Sequence, residues 1–66
     1  MLIRDFVNWE LEKFRNECNF TEDELIYFNY KAKDKSNVYI AMQMNVSEAQ
    51  VNKLSRRVRN KIIKVL

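Results

Sequence analysis

Apolar side chains recur at the spacing of an α-helix from the start of the chain. Within residues 2–18 one stripe lies at intervals of three and four, which predicts a helix with a buried face: Ile3, Val7, Leu11, Phe14 and Cys18. A second stripe runs beside it, formed by Leu2, Phe6 and Trp9. The apolar face is therefore wider than one neighbouring helix needs. Two interpretations stay open: this helix contacts several helices, or the second stripe is a dimer contact.

A second helix is predicted by its start signal. Thr21 and Glu24 have the spacing of a capping box, and the acids at 22–24 suit the positive end of a helix dipole. We expect this helix to end near Lys33. Its predicted buried face is Leu25, Phe28 and Ala32, whereas Ile26, Tyr27 and Tyr30 lie off that face.

The third and fourth helices are predicted to form a pair joined by a tight turn. Ser36 can cap a short helix over about 37–43, and Ser47 with Gln50 forms a second capping box. The inward positions of the short helix are Ile40, Ala41 and Met44. Those of the last helix are Val51, Leu54, Val58, Ile62 and Val65. Asn45 suits the turn, because Asn tolerates left-handed backbone better than most residues.

Composition favours a single all-α domain, 1–66, in the form of a small four-helix domain. The 66 residues include no Gly and no Pro, the strongest breakers of regular structure. A chain of this size has a modest core, so oligomerisation would help it. The predicted organisation is an N-terminal helix within 1–19, a possible dimerisation element, and a core of three helices within 20–66.

Charge is unevenly distributed along the chain. Residues 1–36 carry six bases against eight acids, a net charge of −2, whereas residues 37–66 carry six bases and one acid, a net charge of +5. A basic C-terminal part suggests a polyanionic partner. Three of the bases fall within four residues of the last helix: Arg56, Arg57 and Arg59.

The last two predicted helices have the spacing of a helix-turn-helix, in which the second helix enters the major groove. Ala41 is small where the helices cross, and the N-terminal half of the last helix is polar outside. Asn and Gln can pair with adenine, Lys with guanine and Glu with cytosine. The candidate DNA-binding residues are Ser47, Glu48, Gln50, Asn52, Lys53, Arg56, Arg57, Arg59, Ser36 and Tyr39.

Two stretches carry a family resemblance: "FTEDEL" and "SNVYIAMQMNVSEAQVNKLSRRVRNKI". From Phe20 to about residue 62 the chain resembles the tri-helical DNA-binding domains of LuxR/GerE-type regulators, and it is similar to region four of bacterial sigma factors. The resemblance implies a helix-turn-helix core over about 21–65, with 47–65 as recognition helix and Asn52, Lys53 and Arg56 at DNA. The chain departs from the pattern at Asp34-Lys35, where Gly is usual, and at Gln50, where Thr is usual. LuxR-type domains also add a C-terminal helix that commonly dimerises, so helix 2–18 is a candidate substitute here.

The sequence therefore predicts a small transcriptional regulator or accessory factor that binds double-stranded DNA as a homodimer. Its predicted dimer or partner contacts are Leu2, Phe6, Trp9, Ile63 and Leu66. The alternative is a helix-turn-helix-derived module that binds RNA polymerase or another regulator. An enzyme is not expected, since the chain has no His and a single Cys, and no cofactor or metal site is predicted. Without a membrane span or signal peptide in the sequence, we expect a cytoplasmic protein.

Overall fold

The computed structural model describes residues 3–66, apart from the side chain of Arg4. Over this range the fold is all-α, and no strand occurs. A short 3-10 helix (Ile3–Asp5) is followed by α1 (Asn8–Glu17), α2 (Glu22–Ala32), α3 (Asn37–Met44) and α4 (Glu48–Val65). The predicted all-α class and the four helices are confirmed.

The first helix is shorter than predicted. The periodicity predicted one helix over 2–18, but the chain breaks at Phe6 and Val7 before α1 begins. Val7 adopts extended backbone, and the Glu10 carboxylate accepts a hydrogen bond from its N–H at 3.0 Å. Val7 therefore does not continue the buried stripe, and 53% of its surface is exposed. Leu2 lies outside the described residues.

Side-chain hydroxyls cap the next three helices at the predicted residues. The Thr21 hydroxyl accepts from the Glu24 N–H, and the Glu24 carboxylate accepts from the Thr21 N–H, which completes that capping box. The Ser36 hydroxyl accepts from the Tyr39 N–H, and the Ser47 hydroxyl accepts from the Gln50 N–H. These bonds satisfy backbone donors that a helix start otherwise leaves unpaired.

One apolar core joins α1, α2, α3 and α4. As predicted, α4 contributes Val51, Leu54, Val58 and Ile62, and α3 contributes Ile40 and Ala41. The other buried apolar residues are Leu11, Phe14, Cys18, Tyr27 and Phe28. Aromatic rings link the first half of the chain: Phe6 packs edge-on against Phe14, and Phe28 lies between Phe14 and Phe20.

Two aromatic residues lie deeper than predicted. Tyr27 was expected off the buried face of α2, but only 3% of it is exposed. Phe6 was expected in an outer stripe with Trp9, but it is half-buried against the core, its ring centroid 4.8 Å from that of Phe14. The break before α1 is the reason for the second difference, because it takes Phe6 out of helical register with Trp9.

The buried carboxylate of Glu24 connects α2 to α4. Its Oε1 accepts from Lys61 Nζ at 2.5 Å, and Lys61 Nζ also donates to the Asn19 carbonyl at 3.0 Å. Burial raises the pKa of Glu24, but the hydrogen bonds from Lys61 and Thr21 and the charge of Lys61 outweigh it. The net pKa of Glu24 lies below its ordinary value. Lys61 therefore fixes the α1–α2 connection against the C-terminal half of α4.

Candidate nucleic-acid interface

The candidate interface consists of α4 and the start of α3, joined by the turn at residues 45–47. Asn45 has φ 58° and ψ 46°, the left-handed conformation that was predicted for it. The backbone N–H groups of Asn45 and Val46 bond to carbonyls of the last turn of α3. Val46 donates to the Ala41 carbonyl at 3.0 Å. This turn directs the chain into α4 without a glycine.

α4 is held to the protein from one side only. Its four fully buried side chains recur at intervals of three and four, and they share one face of the helix. The face opposite them is exposed at Ala49, Asn52, Lys53, Arg56 and Asn60. With 18 residues, α4 is about 27 Å long and presents that face along its whole length.

The structure places nearly all the predicted DNA-binding residues at the surface. Gln50 is half-buried, and the others are exposed: Ser36, Tyr39, Ser47, Glu48, Asn52, Lys53, Arg56, Arg57 and Arg59. The hydroxyls of Ser36 and Ser47 are already engaged as helix caps. Each of these two hydroxyls could still donate its own hydrogen to a ligand.

The exposed cations of α4 fall into two stripes rather than one. Residues three or four apart share a side of a helix, whereas residues two apart do not. Asn52, Arg56 and Arg59 therefore form one stripe, which continues to Ile63. A second stripe contains Lys53, Arg57, Asn60 and Lys64. Arg57 and Arg59 lie on nearly opposite flanks of α4. Arg56, Arg57 and Arg59 therefore cannot all contact the same group of a ligand.

At the start of α3, a set of side chains surrounds Tyr39 on one side of the interface. The Tyr39 ring packs edge-on against Tyr30, with centroids 5.7 Å apart, and the Lys35 ammonium lies 5.2 Å from its centroid. Lys35 was not among the predicted site residues. Its place in the alternating series Lys31, Lys33 and Lys35 could have indicated it, because a cation on the loop before α3 adds positive charge beside Tyr39.

On the other side of α3, two amides meet. The Nδ2 group of Asn37 donates to Oδ1 of Asn52 at 3.5 Å. Asn37 was not among the predicted site residues, because an Asn after a Ser cap is common turn chemistry. The contact joins the half-buried Asn37 of α3 to a residue predicted to touch DNA.

Among the described residues, the predicted dimer or partner residues differ in exposure. Trp9 stands on the outer face of α1 with 69% of its surface exposed. Ile63 and Leu66 are also exposed, at the end of α4. Phe6 belongs to the margin of the core, as described above.

Three other features of the described part of the chain concern metal ligation, membrane spanning and the single thiol. Residues 3–66 bring together no group of three or more metal-ligating side chains, and none of their helices has the length and apolar content to cross a bilayer. Cys18 is a buried free thiol that donates to the Lys61 carbonyl at 3.6 Å. Burial, with a smaller effect of Glu17, raises the pKa of Cys18. A raised pKa makes the thiolate form of Cys18 less favourable than that of an ordinary cysteine.

Comparison with known proteins identifies no family for this chain. The chain matches no protein-family model, no curated protein and no solved structure.

Proposed function

We propose that the chain is a small sequence-specific DNA-binding protein, a transcriptional regulator or accessory factor. In this proposal α3, the turn at 45–47 and α4 act as a helix-turn-helix, and α4 is the recognition helix in the major groove. The observation that carries the proposal is the one-sided attachment of α4, which leaves a long polar and basic face in solvent.

The arrangement of charge on α4 suits a groove. The major groove is about 12 Å wide, so a helix lying in it has a phosphate backbone on each flank. Arg56 and Arg59 on one flank and Arg57 on the other can each reach a phosphate. Such contacts supply affinity and salt dependence but no sequence information.

Sequence reading falls to the N-terminal half of α4 in this proposal. Its exposed side chains are short or polar, as close approach to base edges requires. Gln50, Asn52 and Lys53 would contact bases, with Ser47 and Glu48 at the first turn. Ser36 and Tyr39 would contact the sugar-phosphate backbone from α3.

Substitution of two exposed cations tests this proposal. DNA sequences are first selected from a random pool, and binding is then measured by fluorescence anisotropy at several salt concentrations. We expect Lys53→Ala and Arg56→Ala each to weaken binding by about tenfold, since each loses a charge-assisted hydrogen bond. Their melting temperatures should stay close to the parent's, because both side chains are exposed.

Lys13→Ala is the matched control, because it removes one exposed positive charge from α1, away from α4. It should bind DNA as the parent does. The proposal fails if Lys53→Ala and Arg56→Ala bind as tightly as the parent. It also fails if parent affinity does not fall with salt, since a slope of about −0.9 per neutralised phosphate is expected.

The exposure of Trp9 favours a second candidate function, a protein-interaction module that binds RNA polymerase or another regulator. A tryptophan in solvent is costly for a monomer and typical of binding hot spots. Two results together would favour this candidate: a random pool yields no enriched sequence, and purified RNA polymerase shifts the fluorescence of Trp9.

A further inference from the structure

The side chains of Asn37 and Asn52 meet where the start of α3 crosses α4. Asn37 Nδ2 donates, and Asn52 Oδ1 accepts, at 3.5 Å. Asn37 is half-buried, whereas Asn52 is exposed on the stripe that also holds Arg56 and Arg59. The hydrogen bond therefore lies at the exposed edge of the crossing between α3 and α4.

The carbonyl end of the Asn37 side-chain amide is unfavourable for stability. Its Oδ1 atom is buried and has no hydrogen-bond partner. An unpaired buried acceptor lowers stability, and an apolar side chain would join the two helices without that loss. The NH2 group of the same amide is hydrogen-bonded to Asn52.

An amide has an acceptor at one end and a donor at the other, so fixing one end orients both. With Oδ1 turned toward Asn37, the NH2 group of Asn52 is directed away from α3. Building on the DNA-binding function proposed above, we propose that Asn37 is a positioning residue that makes Asn52 a hydrogen-bond donor toward the base it meets.

This orientation selects between bases. In the major groove guanine presents two acceptors, N7 and O6, whereas cytosine presents the N4 donor. A fixed NH2 group bonds to guanine and faces a like donor on cytosine. Asn52 therefore prefers guanine to cytosine, whereas an amide free to turn over would accept either.

Two substitutions at position 37 test the orientation. The carboxylate of Asn37→Asp can only accept, so it attracts the NH2 group of Asn52 and turns Oδ1 outward. We expect the parent to favour guanine over cytosine at one position by about two- to tenfold, the worth of one hydrogen bond. Asn37→Asp should reverse that ratio, and Asn37→Ala should bring it near one.

The measurement is selection from a random DNA pool by the full chain, followed by competition between sites that differ only at the affected position. Gln43→Ala is the control, because Gln43 is an exposed amide on the same helix, and its ratio should equal the parent's. Asn52→Ala should also lose the preference, and adding Asn37→Ala to it should change the ratio no further.

A structural role alone would weaken all sequences equally and leave the ratio unchanged, which overturns the inference. Enrichment by the parent with equal ratios in both Asn37 variants also overturns it, but leaves DNA binding intact. No enrichment by the parent overturns both proposals.

A measurement without DNA covers the case in which a variant folds poorly. The side-chain amide signal of Asn37 in the NMR spectrum of the free protein should shift in Asn52→Ala. An unshifted signal would show that the two amides do not touch, and would overturn the inference.

Discussion

In this chain asparagine and aspartate occupy the left-handed backbone positions after helices, where most proteins have glycine. Asn19, Asp34 and Asn45 have φ between 54° and 62°, and each follows the end of a helix. Left-handed backbone costs a residue with a Cβ roughly 1–2 kcal/mol, and Asn and Asp bear it best. Asn45 was predicted in this role from the turn between two helices.

Substitution of Asn45 measures what its side chain contributes. We expect Asn45→Ala to lower the free energy of unfolding by about 1 kcal/mol, because alanine tolerates φ 58° poorly. Asn45→Gly should change it little, because easier backbone geometry is offset by greater freedom in the unfolded chain. Urea unfolding at neutral pH makes the comparison.

Asn60→Ala serves as the control for that series, since Asn60 is exposed within α4. It should stay within about 0.5 kcal/mol of the parent or stabilise it, as alanine favours helix. Equal stability of Asn45→Ala and the parent would contradict the role assigned to the turn.

At the scale of helices, starts were predictable and the break before α1 was not. Thr21, Ser36 and Ser47 cap helices through their own hydroxyls, and such local bonds leave a sequence signature. The break at residues 6–7 has no Gly or Pro to mark it, and the apolar spacing of three and four continues through it. Packing of Phe6 on Phe14 overrides the local pattern there.

The buried face of α2 was predicted about one residue out of register. The pattern assigned Glu24 to the helix start alone and Tyr27 to the outside, but both are buried. The cause lies 37 residues away, where Lys61 supplies a cation that allows the Glu24 carboxylate to be buried. No local pattern on α2 shows such a partner. The same limit applies to the contact between Asn37 and Asn52, which lies across two helices.

The Glu24–Lys61 pair predicts a pH-dependent stability. We expect Glu24→Gln to lower the free energy of unfolding by roughly 1–2 kcal/mol at pH 7, through the loss of a charge-assisted hydrogen bond. Because the folded pKa of Glu24 is depressed, its contribution is complete above the ordinary value of 4.5. That contribution is lost as pH falls through the folded pKa.

Urea unfolding at pH 7 and at progressively lower pH tests this prediction. The difference between parent and Glu24→Gln should shrink below about pH 4.5. Glu22→Gln, an exposed acid at the same helix start, should show a much smaller effect. A Glu24→Gln deficit that stays constant with pH would refute the assignment.

For the whole molecule, α1 and α4 pack on one core and turn faces of different chemistry to solvent. α1 packs inward through Leu11, Phe14 and Cys18, and α4 contributes its own buried face to the same core. The exposed face of α1 carries Trp9, Lys13 and Asn16, whereas the exposed face of α4 is basic.

We predict that a second copy of the chain covers Trp9 in a homodimer. Trp9 is the single tryptophan, so its fluorescence reports this contact alone. Emission should move from that of a solvent-exposed indole to shorter wavelength as concentration rises, in step with dimer formation in sedimentation equilibrium. Trp9→Ala should weaken the dimer by at least about tenfold, the usual effect of removing a buried interface tryptophan.

The dimer affinity of Lys13→Ala should stay much closer to that of the parent, because this substitution removes a neighbouring exposed side chain and keeps the aromatic ring. A parent protein that remains monomeric at all concentrations, with unchanged emission, would contradict the prediction. In that case the second copy is not the partner of Trp9.

The contacts between phenylalanine rings bear on whether residues 20–66 have a complete core without the residues before them. Phe6 packs on Phe14, Phe14 on Phe28 and Phe28 on Phe20, so rings from residues before 20 complete a core shared with those after it. Phe14 is almost completely enclosed. Residues 20–66 thus lack part of their own interior. Without α1, residues 20–66 would expose part of Phe28 and lose the smaller share of the packing on α4, while the contacts of α4 with α2 and α3 would remain.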